Sequence, residues 1–333
     1  MSEGQWSGLP LVVLESIFDK LPIKNKGRCA QVCYDWYLAS KSERSWRYFR
    51  YEDDIFVRRK FTQHSGWQNH IDHYRLRFLT AKTVTKWKRF EVLPVSSLSH
   101  MYEFLRVLSN FSEYYERNAG EEPLSGLQSF QFEWEMHVPK EGAGVHFDHD
   151  IGTGGTMLAG IWLFLQHLFG LKSLALINLQ LAEREFNPFM EKIWTFFQDR
   201  LEELYFLNAT LYRKPVLYLG LFLNLRKLVV SPQHLDDDCL ILIGDLRSLK
   251  TFMIVQTEKT SEHRACSRNS WEIFEKGNGG RTRLYLVLKG KGRLPMLVQP
   301  GAPVKSIIWE KYNGQLTYDL TQNVKIVFRN IFP

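Results

Sequence analysis

The segments LKSLALIN (residues 171–178) and LEELYFLN (residues 201–208) carry the pattern that decides the fold. In both, apolar residues occupy the first, fourth and sixth positions, and asparagine occupies the eighth. The apolar spacing recurs from Leu225 and from Leu249, so that successive starts lie 30, 24 and 24 residues apart. Repeats of this period with one shared apolar pattern predict stacked units of one strand and one helix.

The segments between these strands have the broad apolar faces that are typical of helices. We predict helices over residues 157–169, 186–201, 235–243 and 271–274, and another over 98–115 ahead of the clear repeats. Weaker copies of the strand pattern occur at 127–132 and 304–309, and residues 318–333 are expected to form a terminal strand or cap. The predicted fold class is therefore α/β, with strands on the concave side of a solenoid and helices outside.

The first fifty residues have a different pattern, in which apolar residues recur at helical spacing in three short pieces. These are Leu14, Ile17, Phe18 and Leu21; then Cys29, Cys33, Trp36 and Tyr37 within a helix predicted over 23–40; then Trp46 and Phe49. Pro10 and Pro22 stand at the two ends of the first piece, where a helix tolerates proline. Three small helices cover one another poorly, so we expect this unit to present apolar surface to a partner.

This ordered set resembles the F-box, which begins with Leu-Pro (here 9–10) and ends with Trp-Arg (here 46–47). The resemblance covers residues 6–51 and departs at Ser45, where an apolar residue is usual, and at Gly27, which weakens a helix. It implies a three-helix domain that binds Skp1, and through Skp1 cullin-1, in a Skp1–cullin–F-box (SCF) ubiquitin ligase. The implied Skp1 contacts are Leu9, Pro10, Leu14, Ile17, Phe18, Leu21, Val32, Cys33, Trp36 and Trp46.

The later repeats resemble the irregular leucine-rich repeats that follow the F-box in some proteins. We therefore expect an F-box at 6–51, a linker and N-terminal capping region at 52–120, and a leucine-rich-repeat domain with a C-terminal cap at 121–333. The resemblance implies a non-catalytic substrate receptor that holds an unidentified target protein and promotes its ubiquitination and proteasomal degradation. The strand positions expected to face outward, and to contact the target, include Lys172, Ser173, Glu202, Glu203, Tyr205, Arg226, Lys227, Thr251 and Met253, with Ala175 and Val229 beside them.

Composition and the longest apolar stretch predict a globular protein that does not span a membrane. With 44% hydrophobic and 24% charged residues, the chain is not intrinsically disordered. Its longest apolar stretch, residues 157–165, is too short to span a bilayer, so we do not expect a membrane partner. The sparse cysteines (Cys29, Cys33, Cys239 and Cys266) and an N-terminus without a signal peptide predict a cytoplasmic or nuclear location.

The sequence offers no constellation that predicts catalysis or a cofactor. One group of metal-ligand residue types, from His137 through His146, Asp148, His149 and Asp150, lies among glycines and is interpreted as a polar loop rather than a metal site. The glycine-rich stretches 152–155 and 277–280 lack the spacing of phosphate-binding loops and are interpreted as turns. We therefore expect no enzyme activity, no metal and no cofactor.

Lys and Arg (43) exceed Asp and Glu (36), which gives a net charge of +7. The basic clusters at 58–60, 82–89 and 281–293 are interpreted as solvated surface. In 83–90, basic and aromatic residues alternate, which favours a strand with a basic outer face over a nucleic-acid clamp. Two rival functions stay open, an interaction scaffold outside any ligase and a basic nucleic-acid-binding repeat protein.

Overall fold

The computed structural model describes residues 8–52, 55–64, 66–95, 97–134, 155–289, 299, 301–310 and 325–328. The chain divides into two compact units. The first unit consists of residues 1–143 and 155–171, and the second of residues 144–154 and 172–333. Each unit combines helices with parallel strands, so the predicted α/β class is confirmed as a mixed α/β fold.

The first unit opens with three short helices, α1 (Leu11–Lys20), α2 (Ile23–Cys29) and α3 (Tyr34–Lys41). The prediction of one helix over 23–40 is wrong, because the helix breaks before Cys33, whose backbone is extended. The break turns α3 back against α1, where the rings of Phe18 and Trp36 pack edge to face with centroids 6.0 Å apart. Burial of Phe18 in this contact outweighs the local helical periodicity.

Three parallel strands follow, paired in the order β1 (Tyr48–Tyr51), β4 (Arg89–Val92) and β5 (Ser129–Glu133). Phe49, predicted in a third helix, instead lies in β1, after a 3-10 turn at Arg44–Trp46. Two helices, α5 (Leu98–Ala119) and α6 (Thr156–Leu165), accompany the sheet where helices were predicted. Their buried aromatic rings join those of the strands: Phe90 contacts Phe49, Phe104, Phe130 and Phe164 with centroid distances of 5.2–5.8 Å.

Between β1 and β4 the chain forms an antiparallel hairpin, β2 (Val57–Thr62) and β3 (Gly66–Ile71), and helix α4 (His73–Thr83). The region expected to be a linker and capping segment therefore holds a hairpin, two helices and a strand. The strand predicted over 83–90 begins only at Arg89. Trp87 is buried and stacks on Phe49 with a centroid distance of 3.9 Å, so it cannot stack on a nucleic-acid base.

In the second unit the described strands pair in parallel and in chain order. They are β6 (Ser173–Ile177), β7 (Glu203–Leu207), β8 (Lys227–Val230), β9 (Thr251–Gln256), β10 (Arg283–Lys289), β11 (Val304–Glu310) and β12 (Lys325–Phe328). The helices between them are α7 (Glu183–Phe197), α8 (Asp237–Gly244) and α9 (Arg268–Asn278). Parallel strands need such crossover segments. The strands and helices predicted for residues 171–309 are confirmed with shifted bounds, and β10 is an addition. Of the terminal strand or cap predicted over 318–333, only β12 lies within the described residues.

One face of these strands carries the repeated apolar positions. The first, fourth and sixth residues of the four clear repeats are all buried: Leu171, Leu174 and Leu176; Leu201, Leu204 and Phe206; Leu225, Leu228 and Val230; Leu249, Phe252 and Ile254. The strands align the fourth and sixth positions in register, for example Leu204 with Leu174 and with Leu228. These apolar side chains therefore stack from strand to strand, as the repeat pattern predicts.

The opposite face is less exposed than predicted. Ala175, Val229 and Met253 were expected to face outward, yet all three are buried in a second apolar cluster. They share one register row with Tyr205 and Tyr285. Because neighbouring strands lie only about 4.8 Å apart, side chains in one row shield one another from water. Met253 is therefore a core residue rather than an outward-facing one, and its contact with a target stays a prediction.

The asparagines that end the first two clear repeats are buried and adopt positive φ angles, 59° at Asn178 and 45° at Asn208. Asparagine tolerates this conformation better than most residues. The Asn208 Nδ2 donates hydrogen bonds to Asn178 Oδ1 (2.9 Å) and Thr257 Oγ1 (2.8 Å), and the Ser231 hydroxyl donates to Asn208 Oδ1 (3.0 Å). This network satisfies buried polar groups where the strands end.

Candidate functional site

The F-box-like helices enclose a small apolar core. Leu14 and Phe18 of α1 and Ala39 of α3 are fully buried, and Leu9, Leu21, Cys29 and Trp36 pack against them. Pro10 precedes the first residue of α1, where its missing N–H group costs no hydrogen bond. The apolar stripe read from the sequence is therefore the inner face of α1.

The predicted Skp1 contacts fall into two groups. Leu14, Phe18 and Trp46 are buried inside the unit in the free chain. The domain uses these three residues for its own core, and their predicted role as direct Skp1 contacts stays a prediction. The other predicted contacts are partly or fully exposed: Leu9, Pro10, Ile17, Leu21, Val32, Cys33 and Trp36.

Sequence reasoning missed a second set of exposed apolar side chains on the same helices. The members of this set are Leu11, Val12, Val13, Tyr34, Tyr37 and Leu38. Together with the exposed Pro10 and Val32, these six residues form what we call the F-box apolar surface. The signal was present in the sequence, since Leu11-Val12-Val13 makes the start of α1 apolar around its whole circumference. A helix that is apolar around its whole circumference is generally buried on more than one side, by its own domain or by a partner.

Ser45, the departure from the usual motif, is held in place by hydrogen bonds. Its hydroxyl donates to the carbonyl of Ala39 (2.6 Å), and its carbonyl accepts from Lys26 Nζ (2.5 Å). The Lys26 ammonium is buried and lies 5.1 Å from the Trp46 ring centroid. Burial lowers the pKa of Lys26 to about 8. The turn between α3 and β1 is therefore closed by polar contacts where most F-boxes use an apolar residue.

An ion pair closes the same end of the domain. Arg47 donates to the buried carboxylate of Asp19, with Nη2 and Oδ2 2.5 Å apart. Burial alone would raise the pKa of Asp19, but the hydrogen bond and the charge of Arg47 outweigh it and lower that pKa. The pair ties α1 to the start of the parallel sheet within the first unit.

The predicted target contacts at the strand starts of the second unit are placed as follows. Lys172 and Arg226 are exposed, and Ser173, Glu202, Glu203, Tyr205, Lys227 and Thr251 are partly exposed. Only Met253 of this set is buried. The register aligns Ser173, Glu203, Lys227 and Thr251 in one row across four adjacent strands. We call the eight accessible residues the strand-start surface.

Charges on this strand-start surface are already paired. Glu202 accepts from Lys172 (3.0 Å) and lies 3.2 Å from Arg226, and the hydrogen bond from Lys172 lowers the pKa of Glu202. The Tyr205 hydroxyl donates to Glu203 (3.1 Å), while the Lys227 ammonium lies 4.9 Å from the Tyr205 ring centroid. An exposed network of mixed charge around an aromatic ring suits a protein partner better than a small apolar ligand.

The candidate metal loop, from His137 to Asp150, lies outside the described residues, as do Gly152 to Gly154. Within the described ranges, no group of three or more His, Cys, Asp and Glu residues is arranged to hold a metal ion. Gly277 lies within α9, and Gly279 ends that helix with a positive φ of 58°. This glycine-rich stretch is a helix end and not a phosphate-binding loop.

All four cysteines are free thiols. Cys239 and Cys266 are buried, and burial raises the pKa of both, which keeps them protonated and unreactive. In the part of the chain that the structure describes, no helix combines the length and apolar character that crossing a membrane requires.

Comparison with known protein families agrees with the geometry of the first unit. Residues 6–48 match the F-box domain, while the repeats carry no such family support. No curated protein gives a match to the chain. The F-box domain generally binds Skp1 within SCF complexes, and F-box proteins are usually non-catalytic adaptors. The chain therefore contains an N-terminal F-box domain, which suggests a role as an adaptor in SCF-type ubiquitin ligase complexes.

Proposed function

We propose that this protein is the substrate-recognition subunit of an SCF ubiquitin ligase. The F-box apolar surface binds Skp1, which connects the chain to cullin-1, and the second unit holds a target protein. The chain contributes position and no side-chain chemistry: a bound target stays close to the ubiquitin-loaded enzyme, which raises its effective concentration there. Ubiquitination and proteasomal degradation of the target follow. The repeats act in this proposal as a leucine-rich-repeat solenoid.

The observation that supports this proposal best is the coincidence of an F-box match with exposed apolar side chains on the matched helices. Val12 is 62% exposed and Val32 is 64% exposed. Single exposed apolar residues are ordinary, but eight in a domain of about forty residues favour a surface that a partner covers.

We expect the double substitution Val12→Asp/Val32→Asp to abolish Skp1 binding without unfolding the domain. Both side chains are exposed in the free chain, so the carboxylates stay in water until Skp1 binds. In the complex the two carboxylates would lose their water without gaining a hydrogen bond or an ion pair. This desolvation costs at least about 3 kcal/mol of binding free energy, or about 100-fold in affinity. Titration of the purified protein with Skp1 by calorimetry, with circular dichroism of each variant, measures both effects.

Leu223→Asp provides the matched control, because Leu223 is 63% exposed and lies in the second unit. Its Skp1 affinity should equal that of the parent protein. Undiminished Skp1 binding by a folded Val12→Asp/Val32→Asp variant would contradict the assignment of this surface. Cullin-1 that co-purifies with the parent chain supports the ligase, whereas Skp1 without cullin-1 supports the rival scaffold function.

The second part of the proposal places the target on the strand-start surface. We expect Arg226→Glu/Lys227→Glu to lose target capture while Skp1 binding persists. The substitutions replace the cation beside Glu202 and the cation over the Tyr205 ring with carboxylates, so that the surface becomes acidic. Cross-linked proteins captured by the parent chain and by the variant are compared from cells with and without a proteasome inhibitor.

Arg247→Glu/Lys276→Glu is the control for this experiment, since both residues are exposed cations elsewhere in the second unit. Target candidates are the proteins that accumulate with the inhibitor, bind the parent and the control, and are absent from the Arg226/Lys227 variant. Equal capture by the variant and the control would remove the strand-start surface from consideration. Simultaneous loss of Skp1 binding would indicate misfolding.

A further inference from the structure

The positive charge of the chain is concentrated in one segment of the first unit. Residues 55–90 contain nine Lys and Arg and a single carboxylate, Asp72, which gives this segment a net charge of +8. The rest of the chain has 34 basic and 35 acidic residues and is nearly neutral. The basic character of the protein therefore belongs to the β2–β3 hairpin and to the chain that leads into β4.

The hairpin exposes both of its faces. Four consecutive residues of β2 (58–61) and four of β3 (67–70) are exposed, and successive side chains on a strand point to opposite faces. Phe61 and Trp67 form a cross-strand pair, 57% and 67% exposed, with ring centroids 5.5 Å apart and an interplanar angle of 67°. Arg58, Arg59 and Lys60 precede Phe61 directly.

Helix α4 begins one residue after the hairpin and repeats this composition. Tyr74 and Phe78 are 80% and 58% exposed, with nearly parallel rings whose centroids lie 6.5 Å apart. Arg77 and Lys82 are exposed on the same helix. No ion pair joins Arg77, Lys82 or the three hairpin cations to another described residue.

The four remaining cations of the segment are engaged in contacts within the unit, beginning with Arg75, whose Nε lies 3.5 Å from Asp72 Oδ2. Lys86 Nζ donates to the carbonyl of Lys41 (2.7 Å), and Lys88 pairs with Glu43 at 3.5 Å. The Arg89 guanidinium lies 5.2 Å from the Tyr48 ring centroid. The clamp considered at 83–90 in the sequence is therefore part of the fold, and the accessible charge lies in 57–82.

Unpaired cations beside exposed rings are the combination that single-stranded nucleic acid requires, because phosphates bind the cations and bases stack on the rings. An acidic peptide would use the cations and leave four rings in water. A membrane-inserting hairpin would carry apolar residues between its aromatic pair, whereas the sequence from 62 to 66, between Phe61 and Trp67, is TQHSG. We propose that residues 57–82 bind single-stranded nucleic acid, at a site separate from the F-box apolar surface.

Anisotropy of labelled oligo(dT) and oligo(U) 12-mers, with the full-length protein, tests this proposal. If the five unpaired cations each neutralise one phosphate, raising the salt concentration from 50 to 200 mM weakens binding about 100-fold. Arg58→Gln/Arg59→Gln/Lys60→Gln should weaken binding and reduce the salt slope by about 2. Phe61→Ala/Trp67→Ala should weaken binding about tenfold and leave the slope unchanged, because stacking carries no charge.

Arg247→Gln/Arg264→Gln/Lys276→Gln removes three exposed cations outside the segment and is the charge-matched control. Its nucleic-acid affinity should stay close to that of the parent. The proposal is overturned by absence of binding at 50 mM salt, by equal losses in the control, or by equally tight binding of duplex DNA, polyglutamate or phosphatidylserine vesicles. Skp1 affinity, measured on the same variants, should not change, so failure here is distinct from failure of the ligase assignment.

Discussion

Substitution of Phe18 by alanine is expected to destabilise the F-box helices by about 3–5 kcal/mol. The Phe18 side chain is fully buried, contacts the Trp36 ring and lies in one cluster with Leu14 and Ala39. The cavity left by the missing ring cannot be filled by a domain of three short helices. Hydrogen exchange of the amides in α1 and α3 measures this loss as a decrease in protection.

Val13→Ala is the control on the same helix, since Val13 is exposed and its truncation should cost less than about 0.5 kcal/mol. Undiminished protection of α1 in the Phe18 variant would contradict the proposed core. The comparison matters for function, because a buried-residue variant such as Leu14→Ala also loses Skp1 binding when the domain unfolds. Only exposed residues, such as Val12 and Val32, separate binding from folding.

The second large expected effect is the acid sensitivity that His234 gives the second unit, where its ring is fully buried against the rings of Phe186 and Phe206. Its Nε2 accepts from the backbone N–H of Ala209 (3.1 Å), so the proton of the neutral ring lies on Nδ1 and is donated to the carbonyl of Lys214 (3.0 Å). Burial lowers the pKa of His234 from its ordinary value of 6.5 to about 4.

Acid should therefore destabilise this unit. The folded state keeps His234 neutral and the unfolded state protonates it near pH 6.5, so its contribution is complete above pH 6.5 and is lost as the pH falls toward 4. The shift corresponds to about 3 kcal/mol. Urea denaturation at pH 7.5 and pH 4 should show this loss in the parent protein and a smaller loss in His234→Gln.

His70→Gln is the control, because His70 is exposed and its substitution should leave the pH dependence unchanged. The carboxylates are common to the parent and both variants, so their titration cancels in the comparison. A parent protein and a His234→Gln variant with equal pH dependence would show that His234 is not the group responsible.

The spacing of the clear repeats also occurs in strands of the first unit, where the sequence did not reveal it. Register places Phe49 opposite Phe90, and Phe90 opposite Phe130. The residues three positions earlier are Trp46, Trp87 and Leu127, and all three are buried. Strands β1 and β4 therefore follow the same spacing with tryptophan in place of the first leucine. Trp46 belongs to this pattern, which explains why it is buried.

Strand β10 was missed for a similar reason. Leu284 and Leu286 pair with Phe252 and Ile254 and occupy the fourth and sixth positions. Arg281 stands at the first position, where the clear repeats have leucine. The register therefore identifies β10 as a strand with the repeat spacing, which the polar residue at its first position had obscured in the sequence.

The sequence by itself determined the first F-box helix and most strands and helices of the repeat region, because hydrophobic periodicity and the F-box motif are local patterns that depend on residues a few positions apart. Tertiary structure decided which apolar side chains stay in water. Leu14 and Val12 are both apolar residues of α1, yet only the packing of α3 makes one core and the other surface. Met253 and Trp87 were buried by neighbours distant in the chain, and such contacts leave no periodic signal in the sequence.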